Sequence, residues 1–597
     1  MHLYNIFMEK ETLSRLAALR SEMASRQIDA YIIPGTDPHQ SEYYAAHWDF
    51  RTWISGFDGS AGTAVVTMQD AGLWTDSRYF LQAEEQLSGS GFRLFKDGLP
   101  DTPSYIEWLI ATLPSHATVA IDGELFPVTA VEAMQKNFTM HELHLECDFA
   151  PFDIIWKQRP EMPLHPFFIH ELKYSGESTA SKVSRTLQRV HKEGADALLL
   201  AALDDIAWLF NIRGCDVHCN PVTIAYAYID DERRILFIDE RKVNDTGRAY
   251  LKEEGIECMP YSAVFDFASH ISKNALIDPG KTNYTLARSL NSNVTRAASP
   301  VAALKAVKNN IQIEGIRHAM VRDGVALIRF FRWLDNNIDT GNVTEMSAAR
   351  QLRAFRAEQD LFVDESFDTI AGFNEHGAIV HYTATPESDA KITRKGFLLV
   401  DSGAQYLDGT TDITRTFVIG SLTPKQKHDF TLVLKGHIAL TLCRFPQGTR
   451  GAQLDAIARE PLWNEGLTFL HGTGHGVGHF LNVHEGPQSI RLQENPVALL
   501  PGMVTSCEPG LYRTGEYGIR HENLLLTVED KETEFGKFYR FEPLTLFPFD
   551  KRALDISILL PHEIAWLNDY HRMVYDKLKG SLTSEECKWL LEATSAI

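Results

Sequence analysis
Hydrophobic positions recur at helical spacing at Leu13, Leu16, Leu19 and Met23, which predicts a helix over 13–26 with one apolar face. The run Asp29-Ala-Tyr-Ile-Ile that follows reads as a buried strand. The same succession returns at 183–191 and Asp196-Ala-Leu-Leu-Leu. In each case a further strand-like run follows, at 63–67 and at 235–238. An imperfect repeat of two α/β modules is the economical reading. Its boundaries fall near 152–166 and 298–305, and Arg159-Pro-Glu-Met-Pro-Leu-His-Pro suits the first linker.

From about residue 306 the pattern changes. Ile313, Ile316, Met320, Leu327, Phe331 and Leu334 predict a long amphipathic helix in which Gly315 and Gly324 permit close packing. Thr344 caps a second helix with Glu345 in its first turn, and Thr423-Pro424 opens a third that runs towards Arg444. Strand-like segments at 396–400, 411–419, 471–482, 503–508 and 517–527 alternate with these helices. An α+β domain of nearly 300 residues is expected here. The division is therefore 1–155, 156–310 and 311–597.

Length supports several domains, since 597 residues at about 150 per domain gives about four, or fewer if one is large. Hydrophobic residues at 44% and charged residues at 23% exclude disorder as the main theme. The longest apolar runs, such as 197–203, fall far short of the ~20 residues that span a bilayer, so no membrane partner is expected. A net charge of −21 repels phosphate backbones and argues against nucleic acid. The first ten residues lack a basic region, a long apolar core and a cleavage site, unlike a signal peptide. Seven scattered cysteines do not make a disulfide framework. Cys215, His218 and Cys219 suggest a metal site but have no second ligand pair nearby, and incidental thiols in a reducing compartment are the plainer reading. Cytoplasm is the expected location.

No HExxH, GxSxG, complete P-loop or GxGxxG is present, so the zincin, serine-hydrolase and nucleotide-binding readings lack support. Five candidate ligands stand out on separate strand-like segments. Asp401 ends the apolar run Gly396-Phe-Leu-Leu-Val, where an ionised carboxylate is costly without a cation or donors. Asp412 follows after a reversal signalled by Asp408-Gly409. A two-residue turn there would set Asp412 opposite Gln405, so a shared site with Asp401 requires a bulge or a wider loop. His471-Gly-Thr-Gly-His475-Gly-Val-Gly-His479 carries four glycines, which disfavours a helix. In an extended segment the three histidines share a face, and the glycines let a backbone or substrate approach. Glu508 and Glu522 complete the set, with Arg520 at i−2 on the same strand face to orient Glu522. Four carboxylates with imidazole suit a pair of hard divalent ions, Mn²⁺ above thiolate-seeking metals. Each residue also has a plain reading: a turn Asp, a solvated Glu, a Gly/His loop.

The order Asp401, Asp412, His475 in HGTGHGVG, Glu508 in EPG and Glu522 in GIRHEN resembles the ligand set of the pita-bread metallopeptidases, which include methionine aminopeptidase, prolidase and aminopeptidase P. Over nearly the whole chain the sequence is most similar to three-domain Xaa-Pro aminopeptidases. The strings HQSEYYA, SGFDGSAGTA, LWTDSRYFLQAEEQ, LDDIAWLFNIRG, DSGAQYLDGTTDITRT, FLNVHEGP and FEPLTLFPFD carry that likeness. The resemblance implies two creatinase-like α/β domains followed by a pita-bread α+β catalytic domain. It implies two Mn²⁺ ions on Asp401, Asp412, His475, Glu508 and Glu522, with Asp412 and Glu522 bridging. It also implies substrate contacts from His381, His484 and Arg78, and His471 is expected to line the site; His479 is expected to be an incidental neighbour. Without the resemblance, Arg78 reads as a structural partner of Asp76, and the two histidines as core residues.

The expected reaction is hydrolysis of the bond between the first residue and a following proline. Glu508 shuttles the water's proton to the prolyl nitrogen, while His381 and His484 hold the substrate and help stabilise the oxyanion. Short peptides with proline second are the expected partners, and a homodimer is the family expectation. A dipeptide-restricted prolidase is disfavoured by Arg78 and the three-domain length. A binding module on this fold, like the peptidase-like domain of a histone chaperone, is disfavoured by the intact ligand set.

Overall fold
The computed structural model describes residues 2–291 and 293–597. The chain forms two compact units, Met1–His170 with Glu177–Ala302, and Glu171–Gly176 with Ala303–Ile597.

The first unit contains the repeat, strand for strand. In one six-stranded sheet Ala30–Pro34 pairs antiparallel with Thr63–Thr67 and parallel with Thr118–Ala120. In the other, Ala197–Leu200 pairs antiparallel with Tyr226–Asp230 and parallel with Ala275–Ile277. The outer strands continue both sheets in matching order and sense. The helices that precede the two central strands are His2–Ser25 and Thr179–Lys192. Leu16, Leu19 and Met23 are buried as the helical spacing requires, whereas Leu13 stands at the rim, 50% exposed. No disulfide forms among the described cysteines, and no described helix is long and apolar enough to cross a membrane.

In the second unit the helix Asn310–Asn337 runs behind the site. Its two glycines are required by what they touch. A Cβ at Gly315 would lie 2.4 Å from the Asp408 carbonyl oxygen, and one at Gly324 2.6 Å from that of Leu546. Ile316, Met320, Leu327, Phe331 and Leu334 enter one large apolar core with strands Phe397–Ser402 and Ile413–Val418 and helix Pro424–Thr441. Strands Val504–Cys507 and Asn523–Thr533 pair within a four-stranded sheet, and Gly510–Arg513 with Tyr517–Arg520 as a hairpin. The ligand-bearing residues therefore sit on or beside strands anchored in this core.

Glu345 departs from its expected part. Thr344 caps the helix Glu345–Ala357 through a capping box with Ser347. Glu345, however, is fully buried and accepts from the Phe373 and Ala390 amides and the Tyr382 hydroxyl. It therefore acts as a tie for the segment 373–390, which contains His381, and not only as a first-turn acid.

Candidate metal centre
The hairpin that carries the two aspartates needs no bulge between them. Asp401 pairs with Thr414 and Tyr406 with Gly409, so the two-residue turn is Leu407-Asp408, one position earlier than the Asp-Gly signal suggests. Gly409 serves packing instead: a Cβ there would lie 3.0 Å from the Ile316 Cα. Asp408 is fixed by an ion pair with Arg322. In this register Asp412 falls opposite Gly403, a diagonal neighbour of Asp401 on the same face.

The expectation of an extended segment over 471–482 fails in most of its length. Only Gly474–His475 is a strand, paired with Ser489–Ile490. The chain then turns, with the Gly478 amide donating to the Asn482 carbonyl at 3.0 Å and Phe480 at φ 50°. Glycine permits this because backbone, rather than substrate, presses against it. A Cβ at Gly474 would lie 1.9 Å from the Ser506 carbonyl oxygen, and one at Gly476 2.1 Å from that of Glu485. The single shared face proposed for the three histidines is lost with the strand.

Ligand atoms of Asp412, His475 and Glu522 lie within 4.8 Å of one another. His475 Nε2 is 3.5 Å from Asp412 Oδ2 and 3.4 Å from Glu508 Oε1. His475 Nδ1 lies 2.9 Å from the Gly476 carbonyl oxygen. That carbonyl accepts the Nδ1 proton and leaves the Nε2 lone pair for the cluster. Thr414 donates to Glu522 Oε2 at 2.8 Å, and Arg520 Nη2 to Asp401 Oδ2 at 2.6 Å. The second oxygens, Asp401 Oδ1 and Glu522 Oε1, are buried without a hydrogen-bond partner. Ser506 joins the set by donating to Glu508 Oε1 at 3.2 Å and accepting from the His475 amide.

The other residues named from the sequence have these partners. The His484 ring meets the His475 ring edge-on at 4.4 Å. Beside His381, the Val380 carbonyl accepts from Arg520. His471 Nε2 lies 2.8 Å from the Tyr512 hydroxyl, which accepts from Arg520 Nη1 at 2.7 Å. Arg520 thus holds Asp401 directly and reaches Glu522 through Thr414, whose hydroxyl accepts from Arg520 Nε at 3.2 Å and donates to Glu522. His479 is buried, 2% exposed. Arg78, in the first unit, forms the two-pronged pair with Asp76 at 2.9 and 2.7 Å, with Glu42 at 3.9 Å. Tyr512 and Ser506 carry no sequence signal; Thr414 is also missed by the sequence reading, although its place two residues past Asp412 on the same strand face could have pointed to it.

The electrostatics are those of a site built for cations. Burial, reinforced by the neighbouring carboxylates, pushes Asp412 and Glu522 well above the ordinary carboxyl range. Burial, with Asp401 adding and Arg520 opposing, raises Glu508 to about 7. Burial works against the Arg520 charge, but Tyr512, Asp401 and Glu508 outweigh it. Two orphaned carboxylate oxygens, repelling acids and a pre-set imidazole fit a pair of divalent ions.

Residues 314–529 match the model of "Metallopeptidase family M24". A probable Xaa-Pro aminopeptidase P from Laccaria bicolor is 41% identical, the match covering 98% of this chain and 94% of the relative. The chain belongs to the M24 metallopeptidases. Residues 15–159 and 158–312 each match the creatinase/prolidase N-terminal domain, and 537–597 match the C-terminal region of peptidase M24. Aminopeptidase P2 of Arabidopsis thaliana is also 41% identical, covering 98% of this chain and 88% of its own. Among solved structures, the X-prolyl aminopeptidase of Caenorhabditis elegans, described as a cytosolic enzyme with a di-nuclear active site, superposes with TM-score 0.94. It is 35% identical, with 98% of this chain and all of that one covered. Two creatinase-type α/β domains followed by the M24 pita-bread domain is thus the architecture.

Proposed function
We infer that this M24 metallopeptidase is an Xaa-Pro aminopeptidase that removes the first residue from peptides with proline second. The observation that carries the reading is the buried cluster of Asp412, His475 and Glu522, with Glu508 beside His475, in a chain alike to Xaa-Pro aminopeptidases along its length. We assign Asp401, Asp412, His475, Glu508 and Glu522 as ligands of two divalent ions, Mn²⁺ by the predominance of carboxylates. The domains are assigned to 1–155, 156–310 and 311–597, near where the family matches meet at 158–159 and 312–314. A cytoplasmic homodimer completes the proposal; the nematode relative is described as cytosolic.

When bound, the ions supply a water of lowered pKa and positive charge near the scissile carbonyl. The protein's own groups do the rest. Arg520 and Thr414 each hold one carboxylate oxygen and leave the other for a cation. Glu508, beside His475 Nε2 at 3.4 Å and held by Ser506, is placed to take a proton from the attacking water and return it to the leaving nitrogen. Hydroxyl adds to the carbonyl carbon, the C–N bond breaks, and the products are a free amino acid and a peptide beginning with proline. His484 and His381 steady the substrate carbonyl, His471 lines the site, and we assign Arg78 to substrate binding. Because a prolyl nitrogen bears no N–H in the substrate, a pocket shaped to the ring selects a bond that general peptidases avoid.

The test is release of arginine from Arg-Pro-Pro-Gly-Phe and from its Arg-Ala counterpart, with and without Mn²⁺. Metal-dependent release from the prolyl peptide alone, lost in Asp401→Ala, is expected. Release from neither peptide, with no metal bound, would overturn the proposal.

A further inference from the structure
Immediately after His484 stands a carboxylate that the mechanism does not use. Glu485 is 2% exposed, and its Oε1 accepts from Lys308 Nζ at 2.5 Å; Lys305 Nζ lies 3.8 Å from Oε2. Lys308 Nζ also donates to the Lys305 carbonyl at 3.1 Å, and the Lys308 amide to the Gly502 carbonyl at 2.9 Å. Both lysines belong to the segment that leads into the helix Asn310–Asn337, far in sequence from Glu485.

The main chain of Glu485 reaches the metal centre by a second route. Its amide donates to the Gly476 carbonyl at 2.8 Å, the same oxygen that lies 2.9 Å from His475 Nδ1. One acceptor therefore orients the proposed ligand imidazole and anchors the residue that follows His484, whose ring lies against that imidazole. Gly478 belongs to the same cradle, for a Cβ there would sit 2.9 Å from Glu485 Oε2. Buried ion pairs are often no more stabilising than apolar residues of the same shape. Stability alone therefore gives a weak reason for three charged side chains here, whereas a fixed register for the 475–485 turn gives a specific one.

We propose that Glu485, clamped by Lys308 and Lys305, is a positioning residue of the metal centre: it holds the Gly476 carbonyl that orients His475 and the backbone beside His484. The inference rests on the roles assigned to those two histidines above.

The test compares wild type, E485Q, K308M and K308M/E485Q in kcat on Arg-Pro-Pro-Gly-Phe, in Mn²⁺ affinity by electron paramagnetic resonance of the free ion, and in thermal midpoint of the metal-free protein. E485Q is expected to lower kcat about 10–100-fold and weaken Mn²⁺ binding about tenfold. Its midpoint should fall, because two buried lysines lose their counter-ion, so kcat and Mn²⁺ affinity are compared per folded protein below the transition. The double variant should be little worse than the poorer single, because both changes cut one link. Wild-type kcat and Mn²⁺ affinity in E485Q, within twofold, would overturn the clamp, as would activity that falls only with the folded fraction. If E485Q folds poorly, K308M/E485L, with an apolar pair in place of the charges, decides: a folded protein with weakened Mn²⁺ binding supports the proposal, and one with wild-type affinity refutes it. Wild-type protein that neither binds Mn²⁺ nor cleaves would sink the functional reading and this inference together.

Discussion

Removing the metal should leave a protein whose handicap grows with pH. Metal-free, the cluster holds carboxyls raised above their unfolded values, and a raised group contributes stability present below its unfolded pKa and lost as pH rises through its folded one. Glu508 moves from 4.5 to about 7, which corresponds to about 3.4 kcal/mol over the whole window at 1.36 kcal/mol per pH unit. Between pH 6 and 8 this one group accounts for about 1.4 kcal/mol, or about tenfold in apparent Mn²⁺ affinity. Asp412 and Glu522 are raised as well and push the same way.

Buried histidines oppose this trend at low pH, so the metal-free midpoint alone is a poor measure. They act equally on loaded and metal-free protein and cancel in the difference. The quantity to follow is the gap in thermal midpoint between Mn²⁺-loaded and EDTA-treated enzyme at pH 6, 7 and 8 and constant ionic strength. It should widen by the equivalent of at least about 1.4 kcal/mol. Titration calorimetry in two buffers of different ionisation heat should show Glu508 alone releasing about 0.9 proton on loading at pH 6 and about 0.1 at pH 8. A gap that is flat or narrows with pH, and proton release equal at both ends, would refute the placement of a shared proton load in this cluster.

Three further outcomes follow from the same geometry. Arg520→Met leaves Asp401 buried without its cation partner and should destabilise the metal-free protein by about 3–5 kcal/mol in guanidinium unfolding, with Mn²⁺ recovering much of it; an unchanged midpoint would contradict the assignment. His437 and His571 are pushed by burial from 6.5 down to about 3, so the unfolded chain takes up protons that the fold refuses. Stability should fall as pH drops below about 6.5, by about 2 kcal/mol per histidine at pH 5, and urea midpoints of the loaded enzyme that hold steady from pH 7 to 5 would speak against it. Gly518→Ala places a Cβ 1.7 Å from the Gly377 carbonyl oxygen, at a cost of about 1–3 kcal/mol; because 377 lies just before His381, kcat/KM should fall with it, and a variant as active and stable as wild type would exclude that contact.

What the sequence disclosed depended on how local the cause was. The helix Asn310–Asn337 and the need for small residues at Gly315 and Gly324 were readable from period and composition. Asp401 is readable because a charge ending an apolar run is an anomaly within a few residues, and Asp412 because it follows a signalled reversal. The turn between them was misplaced by one position, because Gly409 answers to the neighbouring helix and not to its own backbone angles. The 471–482 segment was misread for a related reason. Alternating glycines suggest a strand that leaves room for substrate, whereas their room is filled by the backbones of Ser506 and Glu485.

The groups that aim the ligands were the hardest to see, and their sequence separations explain why. Arg520 reaches Asp401 across 119 positions, and Thr414 reaches Glu522 across 108. Arg415, fully buried, donates to the Glu522 carbonyl and to Asn523, Phe547 and Tyr570 from a strand position that alternation alone would fill with an apolar residue. Glu345 shows the consequence for function. Its position after Thr344 predicts a helix-dipole contact worth a few tenths to about 1 kcal/mol, yet it is buried and binds Phe373, His376, Tyr382 and Ala390 on the His381 segment. A carboxylate so placed cannot be removed without leaving those donors unmet, at about 1–3 kcal/mol each. The residues expected to act on substrate are thus held by acids and guanidiniums whose partners lie too far along the chain for local pattern to name, and only the folded chain brings them together.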